Sequence, residues 1–321
     1  MATLEPTVVY DTFWRFAAER HAIYERRMSG SPGPWTKDPI LLRYRFTNAY
    51  RAADRVSQYL ITEVQNGPGR SQDPREVFFR TILFKLFNKI ETWRHIEREC
   101  GAVSFGSTNL EDVDRALEEL RIRTPIYSAA YIMPSPKLGG LRKHTNHLAL
   151  VRLMMRERLA ERLHQSAGLA DVYEKLRAYP GVGRFLAFQY AIDINYSEML
   201  RFDEGAFVVA GPGALDGISK CFGSTSGLTP EQVIMRVTER QHEEFSSRGI
   251  NFKGLFGRPL QPIDCQNLFC EISKYSRVAH PEIPGLAGRT KIKQIYRTDP
   301  QPLAPPRFPA HWNLGIKPAF R

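Results

Sequence analysis

The stretch "LRAYPGVGRFLAFQYAIDINYSEM", residues 176–199, decides the reading of the chain. Pro180-Gly181-Val182-Gly183 breaks one helical pattern, and an apolar helix carrying a single acid, Asp193, starts directly after it. Two readings fit. The first is an ordinary turn between packed helices, since Gly and Pro dominate turns. The second is a helix-hairpin-helix unit. There the backbone N–H groups of Gly181 and Gly183, uncovered by any Cβ, meet a phosphate at a helix N-terminus, with Arg184 in reach.

Outward from the hairpin the pattern is helical almost throughout. Residues 7–28 predict an amphipathic helix ending at "SGSPGP". Leu42, Phe46, Ala49, Ala53, Val56 and Leu60 form one apolar stripe on a helix over 40–63, closed by "NGPGRSQDP". Residues 75–98 are apolar on most faces and predict a central buried helix, and 109–121 opens on an Asn cap. Helices follow over 142–166, 169–178, 184–199, 214–221, 229–247 and 261–278, with 124–140 a loop or at most one strand. An all-α fold is expected, with a helical domain over 1–283 and a Pro-rich basic tail over 284–321, wrapped on the surface or mobile.

Forty-five Lys and Arg against 34 Asp and Glu give a net charge of +11, and the isoelectric point is near 9.6. That balance favours a polyanionic partner. No run approaches the roughly 18 apolar residues of a membrane span, so no membrane association is expected. The N-terminus lacks a basic-then-apolar leader, which predicts an intracellular protein of cytoplasm or nucleus. Cys100, Cys221, Cys265 and Cys270 are too scattered for a disulfide framework. Cys265 and Cys270 lack a second pair, and His144 and His147 stand outside any H-E-x-x-H motif, so neither metal nor cofactor is expected.

Candidate site residues follow from spacing. On the helix expected over 40–63, Asn48, Arg51 and Arg55 share the face opposite the stripe, with Asp54 at its border. On 184–199, Gln189, Asp193 and Tyr196 share a face, and apolar neighbours bury Asp193 at least in part. Such a carboxylate is functional or tightly paired, and Arg51 or Arg55 is the expected partner in the second case. "GPGALDG" offers Gly211 and Gly213 as an anion nest at a helix start, or as a tight connection. Asp264, Glu271 and Lys274 recur along the last helix, a pattern equally suited to an internal salt bridge.

Two further segments carry a resemblance. "PWTKDPILLRYRFTNAYRAADRVSQYL" (34–60) and "YPGVGRFLAFQYAIDINYS" with "FVVAGPGALDGISKCF" are similar to the helical domain of 5-hydroxymethyluracil DNA kinases. They also resemble the stand-alone α-glutamyl/putrescinyl-thymine pyrophosphorylase family, and "CEISKYSRVAHP" (270–281) closes the likeness. The hairpin itself resembles the "LPGVGR" of helix-hairpin-helix DNA glycosylases. However, "AFVVAGPGALDG" (206–217) has Gly and Pro where their catalytic Asp would fall.

The resemblance implies a glycosylase-like helical fold and DNA base hypermodification. An amino acid or polyamine would displace pyrophosphate from activated 5-hydroxymethyluracil in duplex DNA, downstream of a 5-hydroxymethyluracil DNA kinase. No G-x-x-x-x-G-K-[ST] occurs, which points to the transferase type. In that scheme Asp193 receives the amine's proton, Gln189 orients the uracil edge, and Asn48, Arg51 and Arg55 cradle pyrophosphate. Excision of a modified pyrimidine, or binding of modified DNA without catalysis, are the alternatives.

Overall fold

Capping residues set several helix starts in the computed structural model, which describes residues 4–298 and 303–315. Thr7 accepts from the Val9 N–H to begin α1 (Val8–Met28), and Asp38 caps α2 (Pro39–Arg43). The chain continues through α3 (Arg55–Tyr59), a π-helical segment Leu60–Gln65, α4 (Pro74–Phe87), α5 (Ile90–Cys100) and α6 (Leu110–Arg123). Next come α7 (Lys143–Arg156), α8 (Leu159–His164), α9 (Leu169–Arg177) and α10 (Arg184–Asn195). The remaining helices are α11 (Pro212–Cys221), α12 (Pro230–Glu239), α13 (Gln241–Ser247) and α14 (Pro262–Ala279). β1 (Glu5–Pro6) and β2 (Phe222–Ser224) form a small antiparallel pair, with Glu5 opposite Ser224. The fold is thus mostly helical.

The described residues form two compact units, one of residues 4–54, 204–298, 303–306 and 314–315, the other of 55–203 and 307–313. In the first, α14 is the axis, and α1, α11 and α12 pack on it. α11 approaches so closely that a Cβ on Gly217 would lie 1.9 Å from the Phe269 carbonyl oxygen. Buried Asp216 then bonds the Ser273 hydroxyl and accepts from the Ala287 N–H at 2.7 Å. Phe13 of α1 packs on Phe269 in a tilted pair, at 4.7 Å between ring centroids.

In the second unit, every side chain of α4 from Val77 to Phe87 is buried, including the charged Arg80 and Lys85. Arg80 resolves its burial on backbone: its Nε donates to the Val64 carbonyl at 2.8 Å and its Nη2 to that of Ser71 at 2.7 Å. α10 packs against α9 and α4.

Three expected helices are divided. The 75–98 pattern breaks at Asn88, left-handed at φ 50°, whose side chain accepts from Lys85. The 142–166 pattern breaks at Arg158, φ 54°, and 229–247 at Arg240. The helix expected over 40–63 is interrupted between α2 and α3: residues 44–50 are not helical and Arg51–Ala53 is a 3₁₀ turn. Here carboxylates replace the helical acceptors. Thr47 N–H donates to Glu271, Asn48 N–H to Asp54 and Arg51 N–H to Asp264, at 3.0, 2.8 and 2.8 Å.

The basic C-terminal segment is laid on the folded units where it is described. Ile295 bridges to Tyr44 and Ile292 is buried in the first unit; Arg307 exchanges two hydrogen bonds with Gln58 in the second. Residues 299–302 and 316–321 of the expected tail lie outside the described residues.

Candidate functional site

From Leu186 to Asn195 every residue of α10 is buried, so Asp193 cannot keep its charge without a partner. The partner is Lys85 of α4, whose Nζ stands 3.1 Å from Asp193 Oδ2, the two side chains being 3% and 0% exposed. Of the partners expected from the sequence, Arg55 is largely exposed and faces Glu91 at 3.7 Å. Lys85 also donates to Asn88 Oδ1 at 2.7 Å, and its Nζ sits 5.4 Å from the Tyr131 ring centre. The Tyr131 hydroxyl reaches Gln189 Oε1 at 3.4 Å, while Gln65 donates to the Asp193 carbonyl at 2.8 Å and to Thr81 at 3.1 Å. Asp193 and Gln189 thus meet in one buried polar group, which Lys85, Asn88 and Tyr131 complete.

The 124–141 loop closes over this group, and His147 fixes it. The Pro134 carbonyl can only accept, so His147 Nε2 carries the proton shared at 2.9 Å, and Nδ1 accepts from the Tyr127 hydroxyl at 2.8 Å. Burial pushes His147 down to about 4, so the ring is neutral. The Tyr190 hydroxyl meets Met133 Sδ at 3.5 Å, and half-buried Tyr131 stands edge-on to Phe185 at 5.5 Å.

The loop also rests on the hairpin between α9 and α10. Gly181 has φ +77°, and a Cβ there would lie 3.0 Å from Pro136, so the glycine is required twice over. Gly183 differs: it is exposed, and a Cβ would meet nothing within 4 Å. Arg184 is exposed beside it. The hairpin therefore presents an open helix start next to the loop over the Lys85–Asp193 pair.

The glycines at 211–217 do not form an open cradle. Gly211 is buried, and a Cβ on Gly213 would lie 2.9 Å from Cys270 Sγ, so this segment serves the contact of α11 with α14.

The other expected residues gather in the first unit, away from the face predicted for them. Asn48 donates from Nδ2 to the Ala53 carbonyl at 2.7 Å and accepts from Arg20 Nη2 at 2.5 Å; Arg20 also donates to the Thr47 carbonyl at 2.9 Å. Glu271 pairs with Lys274 at 2.7 Å, and Lys274 reaches the Arg45 carbonyl at 3.2 Å. Asp54 and Asp264 are each pushed up to about 6, mainly by burial. Asn48, Arg51 and Arg55 share no helical face, and the polar contacts of Asn48, Asp54 and Glu271 brace the 44–54 segment.

A groove of about 390 Å³ in the second unit, floored by Leu110, Leu138 and Leu148 and rimmed by Asp114, Arg115 and Arg152, includes none of the expected site residues. Among the described residues no three His, Cys, Asp or Glu side chains gather to hold a metal, and no helix is long and apolar enough to cross a membrane.

Fold and site define a mostly α-helical protein with a buried lysine–aspartate pair beneath the 124–141 loop, which rests on a glycine hairpin. Residues 7–285 match the family model described as 5-hmdU DNA kinase, helical domain, and the chain belongs to that family. It is 27% identical over 289 residues to the 5-hmdU DNA kinase of Bacillus phage SP10, covering 83% of this chain and 45% of that protein. The chain therefore spans about half the length of this curated relative. No solved structure matches.

Proposed function

We propose that the chain is a DNA base-hypermodification enzyme with a glycosylase-like helical fold. It joins an amine, from an amino acid or polyamine, to pyrophosphorylated 5-hydroxymethyluracil in duplex DNA. Family membership supports the base, and the net charge of +11 supports the polyanion. The observation that carries the reading is the buried Lys85–Asp193 pair on the helix that leaves the hairpin.

In this reading the hairpin is a helix-hairpin-helix element. The N–H groups at Gly183 and the first turn of α10 hold a phosphate, with Arg184 beside them. The nucleotide next to it is turned out of the stack, and Tyr131 and Phe185 supply aromatic faces for the base. The amine lone pair attacks the methylene carbon on C5, the C–N bond forms, and the C–O bond to pyrophosphate breaks. Asp193 accepts the proton that the amine must lose. Lys85 pairs with that carboxylate, and Gln189 orients the uracil edge. Exposed Arg55 is available to the leaving anion, whereas the contacts of Asn48 are taken up within its own unit. An upstream 5-hydroxymethyluracil DNA kinase would supply the activated substrate.

The test incubates the full chain with pyrophosphorylated 5-hydroxymethyluracil DNA and a pool of amino acids and polyamines, then weighs the released nucleosides. An aminated thymidine, reduced by roughly 10²–10⁴ per folded molecule in Asp193→Asn, supports transfer. An abasic site identifies excision instead, and unchanged substrate with tight binding identifies a reader.

A further inference from the structure

Ile132 is 91% exposed, although the loop that bears it is anchored on both sides. Tyr131, before it, turns inward to Gln189 and lies over Lys85, and Met133, after it, is buried against Tyr190. Two residues on, the Pro134 carbonyl is held by His147, and Pro136 abuts Gly181 of the hairpin. The isoleucine is therefore displayed from a braced loop, directly above the buried pair and next to the open start of α10. The same loop and the helix start after it carry exposed Lys137, Arg142 and Lys143, and Arg184 is exposed at the hairpin that Pro136 abuts. A bare apolar side chain on a loop that carries exposed cations fits a ligand with an anionic outside and an apolar, stackable inside, which describes duplex DNA.

We infer that Ile132 is a wedge that enters the base stack of bound duplex DNA and fills the space vacated by the nucleotide presented to Lys85 and Asp193. This rests on the proposed action on a DNA base. Tyr131 and Ile132 divide the work by the alternation of the chain, one side chain facing the extruded base and the other the stack it left. Leu141, fully exposed at the far end of the loop, has the same chemistry without flanking contacts to the buried group, and serves as the control.

The experiment uses the full chain and a duplex with 2-aminopurine beside a 5-hydroxymethyluracil, followed by anisotropy for binding and by 2-aminopurine emission for unstacking. The wild type should brighten the probe severalfold at saturation. Ile132→Ala should bind within about threefold yet lose more than half of that rise, while Ile132→Phe restores it and Leu141→Ala leaves it unchanged. Full brightening by Ile132→Ala overturns the wedge, as does a wild type that binds without brightening; in both cases the DNA reading stands. A wild type with no affinity for duplex DNA removes both. If Ile132→Ala instead converts a dimer to a monomer in sedimentation, the tip is a self-association surface and the wedge is wrong.

Discussion

Lys85 Nζ and Asp193 Oδ2 lie 3.1 Å apart, on two helices whose surrounding side chains are all buried. Removing one partner leaves an uncompensated charge in the core, a loss of about 3–5 kcal/mol, whereas replacing both with apolar groups of similar size is far milder. Lys85→Met and Asp193→Leu should each lower stability by that amount in denaturant unfolding. The double variant should fall well short of the sum, with a coupling energy above about 1 kcal/mol. Additive losses would show that the two groups do not share a pair.

Two buried groups should titrate in opposite senses over one pH window. Asp264 is raised from 3.8 to about 6, so the folded state binds the extra proton between those values and stability falls as pH rises from about 4 to 6. His147 is lowered from 6.5 to about 4, so the unfolded state binds the extra proton and stability falls as pH drops from about 6.5 to 4. The wild-type curve partly conceals both. Asp264→Asn should remove its share of the first slope, to which Asp54 adds in the same sense, and His147→Gln the second, each worth up to about 3 kcal/mol across its window. Unfolding free energies at half-unit pH steps would show the two variants diverging in opposite directions, and parallel curves would refute both assignments.

Glycine sorts structural from ligand-facing positions in the same way. Gly217→Ala would place a methyl 1.9 Å from the Phe269 carbonyl oxygen, and backbone cannot yield as a flexible side chain does. Overpacking of this kind costs about 1–3 kcal/mol or more. A drop in Tm of several degrees is expected, and an unchanged melt would mean that α11 slides freely on α14.

Much of the helical content was legible because capping and periodicity are local. α1 ends at Met28 as its amphipathic pattern ends, and Asn109 caps α6 through the Glu111 N–H. The buried acid of α10 was legible from its apolar neighbours, but its pairing with Lys85 was not. Lys85 sits in "LFKLFNK", and a lysine within the apolar run of a buried helix was the available signal. The 44–54 segment was misread for a different reason. Its periodicity suits a helix, yet its backbone donors are satisfied by Glu271 and Asp264, separated by 224 and 213 positions from the residues they hold. No local pattern carries that information. The same acceptors explain why Asn48 and Glu271, treated separately in the sequence, belong to one cluster.

The hairpin makes the sharpest distinction between a turn and a phosphate grip. Gly181 is fixed by φ +77° and by Pro136, so its replacement harms the fold under either reading. Gly183 has φ −75° and open space around the missing Cβ, so Gly183→Val should melt within a few degrees of the wild type. If the hairpin holds phosphate, that valine stands where the phosphate must approach, and duplex affinity should fall at least tenfold although the protein is folded. Arg184→Ala should act differently, weakening binding more modestly and reducing the slope of log affinity against log salt by about one, the signature of one lost phosphate contact. Titrations at four or five salt concentrations with all three proteins separate the outcomes. Should Gly183→Val bind duplex DNA as the wild type does, with an unchanged slope for Arg184→Ala, the hairpin is only a connection between α9 and α10, and the DNA surface lies elsewhere.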